Sequence, residues 1–448
     1  MTGSHAIPEL AGFRAGTPLL VTDVAVLDPA DGVVTTHQDV LIEDGRVTKV
    51  GAGLAADADV LDGTGSVAVP GLWDMHVHTF DETTLPTFLA HGVTGIRHMG
   101  GAPVHEQWRT RLRASDWAAP RMVFASPIVD GPRPSRPGSI AVADADEGRA
   151  AIAKCLADKA EFVKVYSQLP ADAYTAIADA CVAAGIPFGG HVPFEVPIAT
   201  AARAGQRSVE HLDGLALGTS TDEAEIRREL STLDPSNPAV MFDRLSRLNH
   251  RAATTHDPSR LAELCRTFLD HGTWHVPTLA VSQAKATVGT PDFPLTPYLP
   301  DIEPMLRPAW ERVGSWSPDD ATKEREQAVF QHSRYLVREL HRAGIPLLAG
   351  TDTFVPGHSL HDELALLASA GLAPLDALRA ATTAPARFLG VADRFGAIAP
   401  GYTADLLLLD ANPLDDIANT RTIRSVIVGG KIFGRGVDFE VGLFDAEV

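Results

Sequence analysis

From Pro70 onward the chain repeats one unit, a short apolar run followed by an alanine-rich stretch with helical spacing. That rhythm is the signature of βα units, because parallel neighbours can only be joined by a crossover long enough to hold a helix. Eight runs fit as strands: Leu72–His78, Gly95–Met99, Arg121–Ser126, Phe162–Tyr166, Phe188–His191, Ser208–His211, Trp274–Leu279 and Pro346–Gly350. Eight is the number at which such a sheet closes on itself, so the sequence predicts an α/β architecture with a (β/α)8 TIM barrel over residues 70–395. Ala171–Ala184 reads as one crossover helix, with Gly185 suited to its C-cap.

The two ends of the chain read differently. Leu20–Leu27, Val34–Glu43 and Val47–Val50 alternate apolar and polar residues and are separated by Asp-Gly turns, the pattern of short antiparallel strands. Strand-like runs return at Leu406–Leu409, Ser425–Val428 and Lys431–Phe433. Residues 1–69 and 396–448 are therefore expected to pair into one composite β-sandwich domain beside the barrel. Thr219–Arg266 and Ser282–Arg342 exceed a simple crossover, and the second carries Pro291, Pro294, Pro297, Pro300, Pro304 and Pro308. Both are read as insertions placed to cover the barrel mouth.

Composition narrows the function. A net charge of −19 repels phosphate backbones and anionic lipid, which argues against nucleic-acid and membrane partners. The three cysteines, Cys155, Cys181 and Cys265, are far apart and odd in number, so neither a disulfide framework nor a thiolate metal site is encoded. No apolar stretch reaches the roughly 18 residues of a membrane span. The reading is a soluble cytoplasmic protein with a small-molecule substrate, and homo-oligomerisation stays open.

The chemistry gathers at predicted strand ends. In Trp73-Asp74-Met75-His76-Val77-His78 the two imidazoles are two positions apart, so a strand points both the same way and both can reach one metal ion. Lys164 interrupts an apolar strand, where an ammonium is costly. It either pairs with a carboxylate such as Glu195 or reacts as a neutral amine with carbon dioxide to give a carbamate able to bridge two metals. His191 and His211 end their own strands, and Asp352 ends the last one as a further ligand, a base or an N-cap.

At these residues the chain resembles the amidohydrolase superfamily, in its imidazolonepropionase-like and prolidase-like branch of metal-dependent hydrolases. The resemblance runs through Val69-Pro-Gly-Leu-Trp-Asp-Met-His-Val-His78, Gly92-Val-Thr-Gly-Ile-Arg97, Ala384-Pro-Ala-Arg-Phe-Leu-Gly390 and Gly401-Tyr-Thr-Ala-Asp405. It implies that His76, His78 and Asp352 hold the more buried of two divalent ions, that His191 and His211 hold the other, and that carbamylated Lys164 bridges them. Imidazolonepropionases usually keep one metal and lack that lysine, so Lys164 favours the dinuclear, peptidase-like side. Histidine and carboxylate ligands without thiolate suit zinc. The chain departs from the family at His98, where aspartate is frequent, and at Pro137-Gly138-Ser139, where a Gly-Gly-His element is frequent.

Two such ions acidify a shared water towards a pKa of about 7 and polarise a carbonyl. Asp352 is then the expected proton acceptor, passing the proton to a leaving nitrogen. Tyr166 lies on the same strand face as Lys164 and is either an oxyanion or carboxylate contact or a core tyrosine. Arg133, Arg136, His275 and His361 are candidate substrate contacts, with His358 beside them. The expected reaction is cleavage of an amide in a small N-acyl amino acid or dipeptide-like compound. The alternatives are a mononuclear deaminase or cyclic-amide hydrolase, and a catalytically silent binding paralogue.

Overall fold

The alternating segments at the two ends of the chain hydrogen-bond into one sheet in the computed structural model of the protein, which describes residues 10, 16–114, 117, 119–233, 238–293, 307–308, 311, 317–352 and 355–434. The joint is Leu406–Leu409, antiparallel to Val67–Pro70. On one side Ile423–Val428 and Lys431–Gly434 continue from the C-terminal segment; on the other Leu19–Leu27, Val34–Glu43 and Arg46–Gly51 extend it, giving eight strands with Asp59–Asp62 paired to Leu19–Leu27. Leu406–Leu409 is buried throughout, which is why its four consecutive leucines stand without alternation. Valines and leucines of both segments share one apolar cluster that includes Val21, Val24, Ile42, Leu406 and Ile427. The two ends therefore meet. They meet in a single eight-stranded sheet among the described residues, and residues 435–448 lie outside these.

The expected barrel strands are present as short parallel ladders. Leu72–Val77 pairs with Val93–His98, and that with Arg121–Phe124. Val163–Val165, Phe188–Gly190, Ser208–Glu210 and Trp274–Val276 form a second ladder, to which Val129–Asp130 and Ile140–Ala141 add at one end. Single bridges, Ala125 to Phe162 and His275 to Leu347, link what the ladders leave open. The eighth expected strand, Pro346–Gly350, is not a strand: only Leu347 bridges, and Ala349 accepts from the Met75 amide at 2.9 Å. Two features account for this. Pro346 has no N–H to give a ladder, and Gly350 lies so close to His76 and Val276 that an added Cβ would fall within 2.9 Å of both. The arrangement is TIM-barrel-like, without one continuous ring of paired strands.

The helix Ala171–Ala184 stands as expected, stopped by Gly185 in the left-handed region (φ 67°). Thr219–Arg266 folds as helices Glu223–Leu230, Pro238–Thr254 and Pro258–His271. The first two pack around a small apolar cluster of their own containing Ile226, Leu230 and Leu248. The second insertion contributes Asp320–Arg342, while Pro294, Pro297, Pro300 and Pro304 lie outside the described residues. Among the described residues no helix is long and apolar enough to cross a membrane. All three cysteines are free and buried.

Candidate metal centre

The ladders stop early, and the residues just beyond them carry the site. His78, His191 and His211 each follow the last paired residue of a strand. His211 (φ 60°), Leu212 (φ 56°), Thr278 (φ 48°) and Asp352 (φ 50°) are all non-glycine residues in the left-handed region. Such conformations cost about 1–3 kcal/mol each and persist only where their surroundings enforce them. Their concentration at one rim marks it as a place where geometry overrides local preference.

Asp352 is the hub. One carboxylate oxygen lies 3.4 Å from Nε2 of His76 and 3.4 Å from Nε2 of His78; the other lies 3.7 Å from Nε2 of His211. His76, His211 and Asp352 place one ligand atom each within 4.8 Å of one another, a group able to hold a metal ion. The His191 ring lies 4.8 Å from that of His211. The Asp352 side chain keeps 23% of its surface exposed, so the hub opens to the rim. Burial works to raise its carboxyl, but the imidazoles of His76, His211 and His78 outweigh that and hold it well below the usual carboxylate range.

Partners behind the rings decide which nitrogen faces the hub. Nδ1 of His76 lies 2.8 Å from Glu210 Oε2. Glu210 is buried, yet the Arg97 guanidinium at 2.8 and 2.9 Å keeps its carboxyl well below the ordinary range. An ionised carboxylate only accepts, so Nδ1 of His76 carries the proton. Burial lowers this imidazole to about 4, so it is neutral and Nε2 presents a lone pair. The same reasoning applies to His191: its Nδ1 lies 2.9 Å from Asp213, whose carboxyl resists burial through the His191 contact and sits at about 2. Ser167 Oγ also meets that Nδ1, at 2.7 Å. For His211 the partner is the Thr278 hydroxyl, at 2.8 Å from Nδ1.

Nε2 of His76 is buried and has no hydrogen-bond partner, and the Lys164 amine is likewise buried and unpartnered. Lone pairs aimed at an ionised carboxylate repel it unless a cation lies between them, so the donor set fits a divalent ion of the zinc type. Lys164 does not pair with Glu195, whose carboxylate instead accepts from the Ala171 amide at 3.1 Å. Burial lowers the Lys164 amine to about 8, despite the opposing pull of Glu210 and Asp352. Gly190 makes room for it: an added Cβ would stand 2.9 Å from the lysine Cδ.

Tyr166 stacks on the His191 ring at 3.9 Å, and its hydroxyl accepts from Arg136 Nε at 3.2 Å. Arg133 is exposed on the same loop. The other two proposed substrate contacts are not brought to the hub. His275 is buried against Phe268, with ring centroids 4.7 Å apart, on the side of its strand that faces the helix Pro258–His271. His361 lies between the Thr420 hydroxyl (2.9 Å) and the His91 carbonyl (3.0 Å). The His358 ring lies tilted against that of His91, with centroids 3.6 Å apart. His98 is buried with Nε2 2.7 Å from the Thr79 carbonyl.

Residues 67–433 match the amidohydrolase family. The chain belongs to the amidohydrolase family. A 64-residue stretch is 48% identical to a dihydroorotase of Syntrophotalea carbinolica, covering 14% of this chain and 15% of that one. Curated relatives are thus matched over well under two thirds of their length. Among solved structures, a bottromycin amidohydrolase is 26% identical with a TM-score of 0.73, over 94% of this chain and 88% of that one. A Xaa-Pro dipeptidase shares the fold at 18% identity and a TM-score of 0.68, over 94% of this chain and 100% of that one. What the sequence reading of this amidohydrolase missed is the layer behind the ligands: Arg97, Glu210, Asp213, Ser167 and Thr278. A signal existed for two of them, since Arg97 and Glu210 are opposite charges inside expected barrel strands.

Proposed function

We propose that the protein is a metal-dependent hydrolase that cleaves the carbon–nitrogen bond of a small N-acyl amino acid or dipeptide-like amide. The observation that carries this reading is the convergence of three imidazole Nε2 atoms, those of His76, His78 and His211, on the Asp352 carboxylate, with the proton of His76 fixed on its far nitrogen by Glu210. In this reading His76, His78 and Asp352 hold one divalent ion and His191 and His211 a second, most suitably zinc. Lys164 joins them as a carbamate, formed when the neutral amine adds to carbon dioxide and releases a proton. The ions supply Lewis acidity towards a carbonyl and make water acidic at neutral pH.

This chain's own groups do the rest. Asp352, ionised at neutral pH, accepts a proton from the attacking water at its rim-facing carboxylate and returns it to the departing nitrogen. Tyr166, its ring fixed on His191 and its oxygen already accepting from Arg136, turns its own O–H towards the oxyanion that develops on the amide carbonyl. In this reading Arg136, which donates to Tyr166, receives a substrate carboxylate, with Arg133 on the same loop as its second contact. The fold that supports this is read as a (β/α)8 barrel over residues 70–395, with residues 1–69 and 396–448 forming a composite β domain of sandwich type. Three buried free thiols suit a reducing, cytoplasmic setting.

The test is a panel of N-acyl amino acids, dipeptides and cyclic ureides on protein reconstituted with zinc and bicarbonate, alongside metal analysis of wild type and Lys164→Ala. Turnover of the first two classes, and loss of about one ion per chain in the variant, fit the dinuclear reading. Turnover restricted to the cyclic compounds, with metal content indifferent to Lys164→Ala, would replace it with the mononuclear one.

A further inference from the structure

Glu363 is a buried carboxyl that nothing described so far uses. It lies in the helix His358–Ala370, fully inaccessible among Leu360, Leu364 and Leu367 of the same helix. Apolar packing at that place needs no acid. Its Oε2 accepts from the Ala280 amide at 2.7 Å, and its Oε1 has no hydrogen-bond partner.

Ala280 and Leu279 open the helix Leu279–Thr287, whose N-cap is Thr278. A threonine at an N-cap normally turns its hydroxyl back onto the first amides of its own helix. Thr278 makes no such bond; its hydroxyl is 2.8 Å from Nδ1 of His211 instead. The Ala280 amide, which such a hydroxyl would receive, is received by Glu363 from across the fold instead. Thr278 also holds φ 48° and ψ 51°, a conformation a β-branched residue adopts only under constraint. One substitution of partners explains the buried acid, the diverted hydroxyl and the strained backbone together.

We propose that Glu363 is a positioning residue for the metal centre: by capping the helix start in place of Thr278, it frees the threonine hydroxyl to hold His211 with Nε2 facing Asp352. The proposal rests on the reading of His211 as a metal ligand, and the experiment separates the two. Zinc dissociation constants are measured by chelator competition on metal-stripped full-length wild type, Glu363→Gln, Glu363→Leu, Thr278→Val and the Glu363→Gln/Thr278→Val and Glu363→Leu/Thr278→Val doubles. Glu363→Leu is expected to weaken zinc about tenfold, in the range typical of groups that orient a ligand. Glu363→Gln, whose amide oxygen can accept the same N–H, is expected to stay within about twofold of wild type. Because both residues act through one contact, the Leu double is expected to bind no more weakly than Thr278→Val alone.

Wild-type affinity in Glu363→Leu, or additive losses in that double, overturns the positioning role while leaving the metal centre standing. Should Glu363→Leu not fold, Glu363→Asp replaces it in the cycle: its carboxyl is withdrawn by one methylene, and zinc binding equal to wild type again overturns the role. No zinc binding by wild type overturns both readings.

Discussion

His211 and His361 are both imidazoles whose Nδ1 meets a threonine hydroxyl, at 2.8 Å from Thr278 and 2.9 Å from Thr420. They differ in the second nitrogen. Nε2 of His211 faces the Asp352 carboxylate at the rim of the short parallel strands. Nε2 of His361 is used up on the His91 carbonyl, where the helix His358–Ala370 meets the C-terminal segment. A carbonyl only accepts, so the neutral His361 ring donates from Nε2, while Nδ1 faces the Thr420 hydroxyl, whose single proton is shared between that nitrogen and the Ile417 carbonyl, each at 2.9 Å; nothing is left for a ligand. Burial lowers this ring to about 3, which keeps it neutral. One region offers lone pairs and the other spends them, and it is the second nitrogen, not the presence of a histidine, that separates chemistry from architecture.

The contrast breaks first at Asp352. If the rim is where reaction occurs, Asp352→Asn removes the proton acceptor and one ligand and is expected to lower kcat by about a thousandfold or more while the thermal midpoint stays near wild type. An active Asp352→Asn would place the chemistry elsewhere and remove the distinction between the two regions. Tyr166→Phe is next, an expected loss of about a hundredfold in kcat with KM little changed, as for removal of one oxyanion donor. A loss carried by KM alone would assign the hydroxyl to ground-state binding.

Glu210→Gln sharpens the comparison one layer back. The amide can no longer fix the proton on Nδ1 of His76 by charge, and it leaves Arg97 without its carboxylate. Metal affinity is expected to fall about 10- to 100-fold. Equal affinity by chelator competition would mean that the His76 tautomer is set by something other than Glu210.

How far the sequence anticipates all this follows the range of the interactions. His76 and His78 are two residues apart on one strand, so their common direction is local and readable. The four leucines Leu406–Leu409 and the Asp-Gly turns mark the terminal strands for the same reason. The partners of the ligands are not local: Arg97 reaches Glu210 across 113 residues, and Glu363 reaches Ala280 across 83. His275 and His361 illustrate the converse failure. Both look like site residues in the chain, and only the direction of one strand face and one carbonyl oxygen shows that they point elsewhere. Pro346–Gly350 reads as a strand because its apolar run is right, while the residues that crowd Gly350, His76 and Val276, are far away in sequence.

The smallest effect tests the comparison from its quiet side. Thr420→Val keeps the shape of the side chain but removes the hydroxyl that meets His361 and the Ile417 carbonyl, leaving a buried imidazole nitrogen without its partner. The expected cost is about 1–2 kcal/mol of stability, read as a lower urea midpoint at unchanged slope. Zinc affinity and kcat are expected to stay at wild type, since neither His361 nor Thr420 approaches the Asp352 hub. The matched change at the other site, Thr278→Val, removes the same atom from the same kind of pair and is expected to weaken metal binding instead. If Thr420→Val weakened zinc as much as Thr278→Val does, the two hydroxyl–imidazole pairs would be equivalent, and the second nitrogen would not be what distinguishes the regions.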